Sequence, residues 1–391
     1  RSRGLGDVYK RQGFILPKQN AREAAVVNNL KVYGVENIKE VIEFFNNERN
    51  LEPSIVNTRE EFYEHQSSFP YDFADVKGQE SVKRALEVAA SGGHNLIMIG
   101  SPGSGKSMMA KCMPSILPPL SLGESLETTK IHSIAGKLGK DSSLIAIRPF
   151  RSPHHTISQV AMVGGGTNPQ PGEISLAHNG LLFLDELPEF NRSVLEVLRQ
   201  PLEDRHISIA RAKYSLDYPA SFMLVASMNP CPCGYYNHPT RACVCNPGQV
   251  QRYLNRISGP LLDRIDIQIE IVPVPFEKMA EQHHAESSAS IRKRVIKARK
   301  IQAQRFANHP GIYCNAQMEA GLLHLYAQPN EAGLKLLQTA MTRLNLSARA
   351  YGRILKVART IADLDNSEHI TSIHLAEAIS YRNLDREDWA G

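Results

Sequence analysis

The sequence predicts an α/β fold in which a parallel sheet is enclosed between helices. Four short apolar runs alternate with longer segments of helical period, as in sheets whose strands are buried on both faces. These runs are Leu96–Ile99, Leu181–Leu184, Phe222–Ala226 and Ile265–Ile271. Strands that alternate with helices favour a parallel sheet, whose strands all end at one edge. A glycine-rich loop follows the first run, and two carboxylates follow the second.

The glycine-rich loop matches the pattern G-x-x-x-x-G-K-[ST] in full and stands between a strand-like and a helix-like run. Its glycines allow backbone N–H groups to turn toward phosphate oxygens at the N-terminus of the following helix. We expect Lys106 to reach the β- and γ-phosphates of ATP and Ser107 to bind Mg²⁺. The residues predicted to bind the nucleotide are Gly100, Ser101, Pro102, Gly103, Ser104, Gly105, Lys106 and Ser107.

Polar residues end two of the other predicted strands. Asp185 and Glu186 come directly after Leu181–Leu184, and Asn229 ends the strand that begins at Phe222. At the edge of the sheet where the glycine-rich loop lies, Asp185 is expected to hold Mg²⁺ through water and Glu186 to act as general base. Asn229 is expected to orient the attacking water or to sense the γ-phosphate. The alternative is that this asparagine simply opens a turn.

The composition is that of an ordinary globular protein of two or three domains. The chain has 391 residues and a net charge of +5, which is too small to identify a nucleic-acid partner by itself. No apolar run approaches the roughly 20 residues of a membrane-spanning helix, so no membrane association is expected. Six cysteines, four of them in one cluster, favour metal binding in a reducing cytoplasm over disulfides.

The clustered cysteines form two C-x-C pairs, Cys231 with Cys233 and Cys243 with Cys245. Four thiolates with this spacing can surround one Zn²⁺ tetrahedrally, and a closed site of this kind would be structural. The loop has little apolar content, so metal binding could supply its order. His238 could replace one sulfur, and free thiols or redox-active disulfides are the alternatives.

Together with these residues, further segments make the chain resemble the AAA+ family of ring ATPases. More narrowly, it is similar to the magnesium-chelatase-like branch and, within it, to the ComM/YifB competence proteins. The segments that carry the resemblance are Phe73–Gln79, Arg148–His155, Pro171–Gly180, Asn229–Gly234 and Leu346–Tyr351. The resemblance implies a hexamer that hydrolyses ATP between its subunits. It also implies a DNA helicase that drives branch migration during natural transformation.

The resemblance also indicates roles for two arginines. Arg264 is expected to point at the γ-phosphate bound by a neighbouring subunit, where it would stabilise the charge of phosphoryl transfer. A salt bridge with Asp263 or Asp266 is the alternative. Arg349 is the candidate for an arginine of the helical lid that acts within its own subunit, with an exposed helix position as the alternative and Arg353 as a competing choice.

The chain is predicted to have four parts. Residues 1–12 are interpreted as a non-native leader, and residues 13–58 resemble only the end of an N-terminal Lon-protease-like domain. Residues 59–274 are expected to form the nucleotide-binding core, and residues 275–391 an all-helical lid. In the lid, Ser347 can cap one helix, and Ile291, Val295 and Ala298 fall on one face of another.

Hairpin insertions in the core are expected near residues 130–178 and 206–220. In the magnesium-chelatase-like branch such hairpins face the central pore, where cationic side chains contact DNA phosphates without reading sequence. The residues considered for this role are Arg148, Arg151, His154, His155, Arg211 and Lys213. Solvated surface loops are the alternative.

The preferred hypothesis is therefore a DNA-translocating ring ATPase with ATP and Mg²⁺ as cofactors. The alternative is a magnesium-chelatase-type motor subunit that remodels a partner enzyme. The cysteine loop favours the first hypothesis. A Lon-like protease ranks last, because no Ser–Lys pair is recognisable in residues 13–58.

Overall fold

The computed structural model contains the predicted parallel sheet with helices on both of its faces. The residues that it describes are 13–25, 30–54, 62, 66, 68–138, 144–166, 169–211, 214–274, 285–344 and 346–382. They group into two compact units. The first contains the described residues up to Ser68 and those from Pro119 to Ile147, and the second contains the others.

Five strands of the second unit form a parallel sheet in the order β11-β3-β10-β7-β4. In chain order the described strands are β1 (Phe14–Pro17), β2 (Val32–Val35), β3 (Leu96–Gly100), β4 (Phe150–Arg151), β5 (Gly164–Gly165), β6 (Gln170–Pro171), β7 (Leu181–Leu184), β8 (His206–Arg211), β9 (Tyr214–Pro219), β10 (Met223–Met228) and β11 (Ile267–Ile271). The four predicted strand runs correspond to β3, β7, β10 and β11. The last begins two residues later than the apolar pattern, because Ile265 and Asp266 lie in the turn before it.

Helices connect the strands and make up the region beyond β11. In chain order they are α1 (Lys18–Ala24), α2 (Ile38–Phe45), α3 (Glu80–Gly92), α4 (Lys106–Ile116), α5 (Leu122–Ile134), α6 (Gln159–Val163), α7 (Glu173–Leu176), α8 (Arg192–Glu196), α9 (Arg199–Asp204), α10 (Pro247–Leu254), α11 (Gly259–Leu262), α12 (Ser288–Arg305), α13 (Ala320–Tyr326), α14 (Glu331–Arg343), α15 (Ala348–Leu364) and α16 (Ser372–Ser380). Among the described residues, none of these helices has both the length and the apolar character that crossing a bilayer demands.

Each face of the sheet is covered by its own apolar cluster. Successive strand residues point to opposite faces, so Leu96 and Met98 of β3 join one cluster while Ile97 and Ile99 join the other. All four side chains are fully buried. The sheet is thus buried on both sides, which explains why its strands read as continuous apolar runs rather than alternating ones.

The helices after β11 share the first of these clusters with α3 and α4. The N-cap hydroxyl of Ser347 accepts a hydrogen bond from the backbone N–H of Ala350 at 3.2 Å, so α15 begins where the sequence predicts. On α12 the buried face carries Ile291, Val295 and Ala298, as its apolar spacing predicts. The predicted all-helical region is therefore present, and it packs on the core as part of the same unit.

The first unit has a small core of its own. Strands β1 and β2 pair in parallel, with Phe14 opposite Val32, and α1 connects them. Ala21 and Ala25 pack against Val32. The same unit contains α5, which begins with a capping box in which Ser121 and Glu124 exchange side-chain-to-backbone hydrogen bonds. The interpretation of residues 13–58 as part of a Lon-like domain stays a prediction, and residues 1–12 lie outside the described part of the chain.

The predicted hairpin near residues 206–220 is confirmed, because β8 and β9 pair in antiparallel register from His206 opposite Pro219 to Arg211 opposite Tyr214. Its tip, including Lys213, lies outside the described residues. A second, shorter hairpin pairs Gly164–Gly165 with Gln170–Pro171.

Two arginines that the sequence analysis assigned to the first insertion lie elsewhere. Arg151 belongs to β4, which pairs in parallel with β7 of the central sheet, and its guanidinium binds both carboxylate oxygens of Glu173 at 2.6 and 2.7 Å. Arg148 donates to the carbonyl oxygens of Pro118 and Asn179 at 2.7 Å each. Neither arginine therefore lies in a described hairpin, and internal partners hold both guanidinium groups. That they face a pore stays a prediction.

A substitution at Gly180, directly before β7, tests how closely β4 and β7 must approach each other. A Cβ atom there would lie 2.1 Å from the carbonyl oxygen of Pro149, so Gly180→Ala must push β4 away. We expect Gly180→Ala to lower the free energy of unfolding by about 1–3 kcal/mol, as overpacking does. Denaturant unfolding measures this loss. Gly259→Ala is the matched control, since no atom lies within 4 Å of its added Cβ, and an equal loss there would contradict the explanation.

Candidate active site

The glycine-rich loop joins the end of β3 to the first turn of α4. Gly103 and Gly105 adopt φ values of +78° and +88°, which L side chains rarely adopt. At Gly100 a Cβ atom would lie 2.7 Å from the carbonyl oxygen of Ile271 on the neighbouring strand. Backbone conformation therefore requires two of the three glycines, and the close approach of β11 requires the third.

Lys106 is folded back over its own loop. Its ammonium group donates to the carbonyl oxygens of Gly100 and Ser101 at 2.7 and 2.9 Å, and to Oδ1 of Asn229 at 3.3 Å. Burial lowers the pKa of Lys106, while the negative charges of Asp185 and Glu186 act in the opposite direction. The predicted lysine, the two acids and the strand-end asparagine thus lie in one neighbourhood.

Asp185 connects the loop to two strands. Its Oδ2 accepts a hydrogen bond from the hydroxyl of Ser107 at 2.7 Å, and its Oδ1 accepts one from the hydroxyl of Ser227. A serine hydroxyl beside a carboxylate is a suitable pair of oxygen ligands for Mg²⁺. The sequence analysis missed Ser227. Ala226 of β10 lies opposite Leu184 of β7, so the residues that follow them, Ser227 and Asp185, are brought together.

Glu186 occupies a left-handed backbone conformation with φ of +55°, which is uncommon for a residue with a side chain. Its backbone N–H donates to Oδ1 of Asp185 at 3.1 Å, and its side chain is exposed. Nδ1 of His155 lies 3.9 Å from Oε2 of Glu186. His155, which the sequence analysis considers for DNA contact, thus lies next to the predicted general base.

The two predicted arginines do not join this group of residues. Arg264 donates to the carbonyl oxygen of Pro260 at 2.6 Å and lies 2.5 Å from the carboxylate of Glu203, which the sequence analysis did not consider. Arg349 pairs with Asp263 at 2.8 Å, and 69% of its side chain is exposed. Among the described residues, neither guanidinium group has a hydrogen-bond or ion-pair partner in the chain's own glycine-rich loop.

Arg353, the competing candidate, forms a more buried ion pair than Arg349 does. Its guanidinium lies 2.5 Å from Oδ1 of the buried Asp266. Burial alone would raise the pKa of Asp266, but Arg353 and the nearby His94 lower it well below its usual range. Arg353 thus links α15 to the start of β11.

The four clustered cysteines converge, with all four sulfur atoms within 4.8 Å of one another. Sγ of Cys231 lies 3.3 Å from Sγ of Cys233 and 3.7 Å from Sγ of Cys243. Backbone N–H groups approach the sulfurs, as at Tyr236, whose N lies 3.3 Å from Sγ of Cys231. His238 is not part of the group, because its Nδ1 accepts hydrogen bonds from backbone N–H groups of its own turn.

Three thiols of this cluster have shifted pKa values. Burial would raise the pKa of Cys233, but backbone N–H groups and the neighbouring thiols lower it to about 6. Burial and the thiols of Cys233 and Cys231 raise the pKa of Cys243 and of Cys245. Four sulfur atoms within 4.8 Å of one another are the donor set of a tetrahedral metal site, so the residues present fit a metal ion.

The sheet order, the glycine-rich loop after β3 and the acidic pair after β7 define the protein as an AAA+ nucleoside triphosphatase. The chain belongs to the magnesium chelatase family. The family model described as "Magnesium chelatase, subunit ChlI" matches residues 72–279, and the model of the ChlI C-terminal region matches residues 285–382. Membership implies ATP and Mg²⁺ as cofactors and ATPase activity.

Relatives that match almost the whole of this chain agree with this assignment. The chain is 42% identical to competence protein ComM of Haemophilus influenzae over 95% of its own length and 72% of that protein. It is 43% identical to protein YifB of Salmonella typhimurium over 96% of its own length and 72% of that protein. Similarity to the magnesium-chelatase 38 kDa subunit of Rhodobacter capsulatus is lower, at 25% over 41% of this chain and 50% of that protein.

Proposed function

We propose that this chain is the subunit of an ATP-hydrolysing ring motor that acts on DNA, as a helicase or branch-migration factor in natural transformation. The observation that carries the ATPase part is the convergence of Lys106, Ser107, Asp185 and Asn229 through direct hydrogen bonds at one edge of the sheet. The DNA part draws on the similarity to a protein named for competence. A hexamer in the cytoplasm is the corresponding assembly and location.

Each residue of the group has a defined task in this proposal. Lys106 exchanges its bonds to Gly100 and Ser101 for bonds to the β- and γ-phosphates, and Ser107 and Asp185 hold Mg²⁺. The metal, when bound, neutralises charge on the phosphates. Glu186, which extends into solvent from a fixed backbone position, accepts the proton of the attacking water. Asn229, which accepts a hydrogen bond from Lys106, orients that water.

Arg264 acts on the site of a neighbouring subunit. In its own subunit it is joined to Glu203, and its buried Nε has no hydrogen-bond partner among the described residues. An unpaired buried guanidinium N–H is costly, and a γ-phosphate from an adjoining subunit would satisfy it. Rings require a heterologous interface in which one subunit completes the site of the next.

The hairpin formed by β8 and β9 is the proposed DNA contact. The sequence carries Arg211 at the end of β8 and Lys213 two residues later, and cations at the tip of a pore-facing hairpin would bind the phosphate backbone without sequence preference. The second candidate function is a chelatase-type motor subunit, which the match to the two ChlI models favours. The effect of DNA on the rate of ATP hydrolysis distinguishes the two functions, because only the first predicts that DNA stimulates it.

We further propose that Cys231, Cys233, Cys243 and Cys245 hold one structural Zn²⁺. Four sulfurs within 4.8 Å of one another match the ligand set of a closed tetrahedral site. Such a site leaves no position for substrate, so the zinc would order the loop rather than take part in hydrolysis. In a reducing cytoplasm, metal binding is the expected use of such a cluster.

Glu186→Gln tests the hydrolytic mechanism and the DNA substrate together. The wild-type rate of ATP hydrolysis should rise when forked DNA is added, while Glu186→Gln should bind ATP normally and lose turnover by on the order of 10²–10⁴-fold, the usual contribution of a general base. Glu189→Gln is the matched control, since Glu189 pairs with Arg256 at 2.9 Å. A wild-type rate indifferent to DNA, with no DNA retained at low salt, would refute the DNA motor.

Mixing two inactive variants tests whether Arg264 acts between subunits. Arg264→Ala should lower turnover by about 10³-fold, in the range known for arginine fingers. In mixed rings of Arg264→Ala and Glu186→Gln subunits, some interfaces combine an intact Glu186 with an intact Arg264, so part of the activity should return. Arg252→Ala, on the exposed part of α10, should behave as wild type. Failure of mixing to restore activity, despite subunit exchange, would place Arg264 outside the neighbouring site.

Elemental analysis tests the zinc proposal. Protein purified without added metal should carry about one zinc per chain, and Co²⁺ substitution should give the absorption bands of a tetrahedral thiolate site. Intact-mass measurement separates the alternatives, because disulfides lower the mass by two hydrogens each. Metal-free protein with unmodified thiols or with disulfides would reject the zinc site.

A further inference from the structure

The cysteine loop, residues 231–245, begins next to the group of residues around Lys106. Cys231 is fully buried and lies two residues after Asn229. Gly234 follows, with φ of +84°, and it packs directly on the glycine-rich loop, since a Cβ atom there would lie 2.5 Å from Cδ of Pro102. The start of the cysteine loop therefore contacts the nucleotide site at two points, Asn229 and Pro102.

The end of the cysteine loop returns to the same place. Cys245 is followed by Asn246, which caps α10 through reciprocal hydrogen bonds with Gln249 at 2.9 and 3.0 Å. Near the end of α10, burial raises the pKa of the Tyr253 hydroxyl, and the nearby backbone amide of Asn229 acts in the opposite direction. Both ends of the loop thus lie close to Asn229. A zinc ion bound by both C-x-C pairs would fix the two ends of the loop to each other.

Apart from the cysteines, the described contacts inside the loop are mainly hydrogen bonds within its own turn at His238 and contacts at the surface. Val244 has 84% of its surface exposed, and the contact between Arg241 and the hydroxyl of Tyr235, at 2.7 Å, lies at the surface. Yet the loop approaches the glycine-rich loop closely. The cavity between Ser101 and the stretch Tyr236–Pro239 has a volume of about 20 Å³, enough for about one water molecule. A segment with few apolar contacts that keeps such a close fit needs another source of order.

We infer that the zinc-bound cysteine loop is a positioning device for ATP hydrolysis, which holds Asn229 against Lys106 and Gly234 against Pro102. The four cysteines are positioning residues, because none of them is among the hydrogen-bond partners of Lys106. The inference rests on the proposed ATPase function and adds a dependence of turnover on a metal ion that takes no part in the chemistry. Loss of the metal would release Asn229 while leaving Lys106 and Ser107 fixed on α4.

Variants of Cys245 test this inference. Cys245→Ser removes one thiolate, whereas Cys245→His supplies another common zinc ligand. We expect Cys245→Ser to lose zinc and to lower kcat on the order of 10- to 100-fold, the cost of a small displacement at a reacting centre, with a much smaller change in KM for ATP. Cys245→His should recover both zinc and turnover. Cys314→Ser is the matched control: it lies outside the cluster at an N-cap position that accepts serine, so zinc content and kcat should stay unchanged.

A double mutant shows whether the zinc acts through Asn229. In an Asn229→Ala background, Cys245→Ser should lower kcat little further, because both changes remove the same interaction. Full additivity, or zinc-free Cys245→Ser with wild-type kcat, would overturn the positioning role. A wild-type protein that contains zinc but hydrolyses no ATP would refute the proposed function instead, so the two failures are distinguishable. Circular dichroism and thermal unfolding of Cys245→Ser separate local displacement from global unfolding, and global unfolding would also overturn the inference.

Discussion

The register between β3, β10 and β7 is the constraint on which the rest of the site depends. Val225 stands opposite both Leu96 and Phe183, so the three strands run level and end at one edge. The residues that follow each strand are then neighbours: the glycine-rich loop, the acidic pair and Asn229. A shift of one residue would turn every side chain of a strand to the opposite face. The apolar clusters on both faces would resist it, and the same packing energy therefore holds the site residues in place.

A second constraint ties the C-terminal helices to this sheet. Asp266, at the start of β11, is buried between Arg353 of α15 and His94, and Nε2 of His94 lies 2.8 Å from the hydroxyl of Thr360 on α15. Removing one partner of a buried ion pair typically costs about 3–5 kcal/mol. Asp266 is also two residues from Arg264. A rotation of α15 against the sheet must therefore break this group or carry the segment of Arg264 with it, which provides a direct physical link between the helical region and the proposed intersubunit arginine.

Local patterns predicted the parts of the molecule that local physics determines. The strand runs, the capped start of α15 at Ser347 and the buried face of α12 follow from periodicity and capping, and the glycine-rich loop follows from backbone requirements. The pairing of Ser107 with Asp185 follows from strands that end at one edge. The contacts that Ser227, His155 and Glu203 make were not foreseen, because they join segments far apart in sequence. The arginines Arg148 and Arg151 were misplaced for a related reason, since a two-residue strand such as β4 leaves almost no periodic signal.

The charge distribution around Arg264 indicates how a ring could distinguish occupied from unoccupied sites. The guanidinium is 12% exposed, while its partner Glu203 is 57% exposed. Glu203 is half exposed and can turn to solvent, but releasing the largely buried Arg264 without a new partner would leave an uncompensated charge, which is costly. The buried Nε of Arg264 has no hydrogen-bond partner among the described residues. A γ-phosphate presented by an adjoining subunit carries more charge than a carboxylate and accepts several hydrogen bonds. The exchange from Glu203 to phosphate would therefore be favourable only with a triphosphate in the neighbouring site, and after hydrolysis Glu203 would regain its arginine.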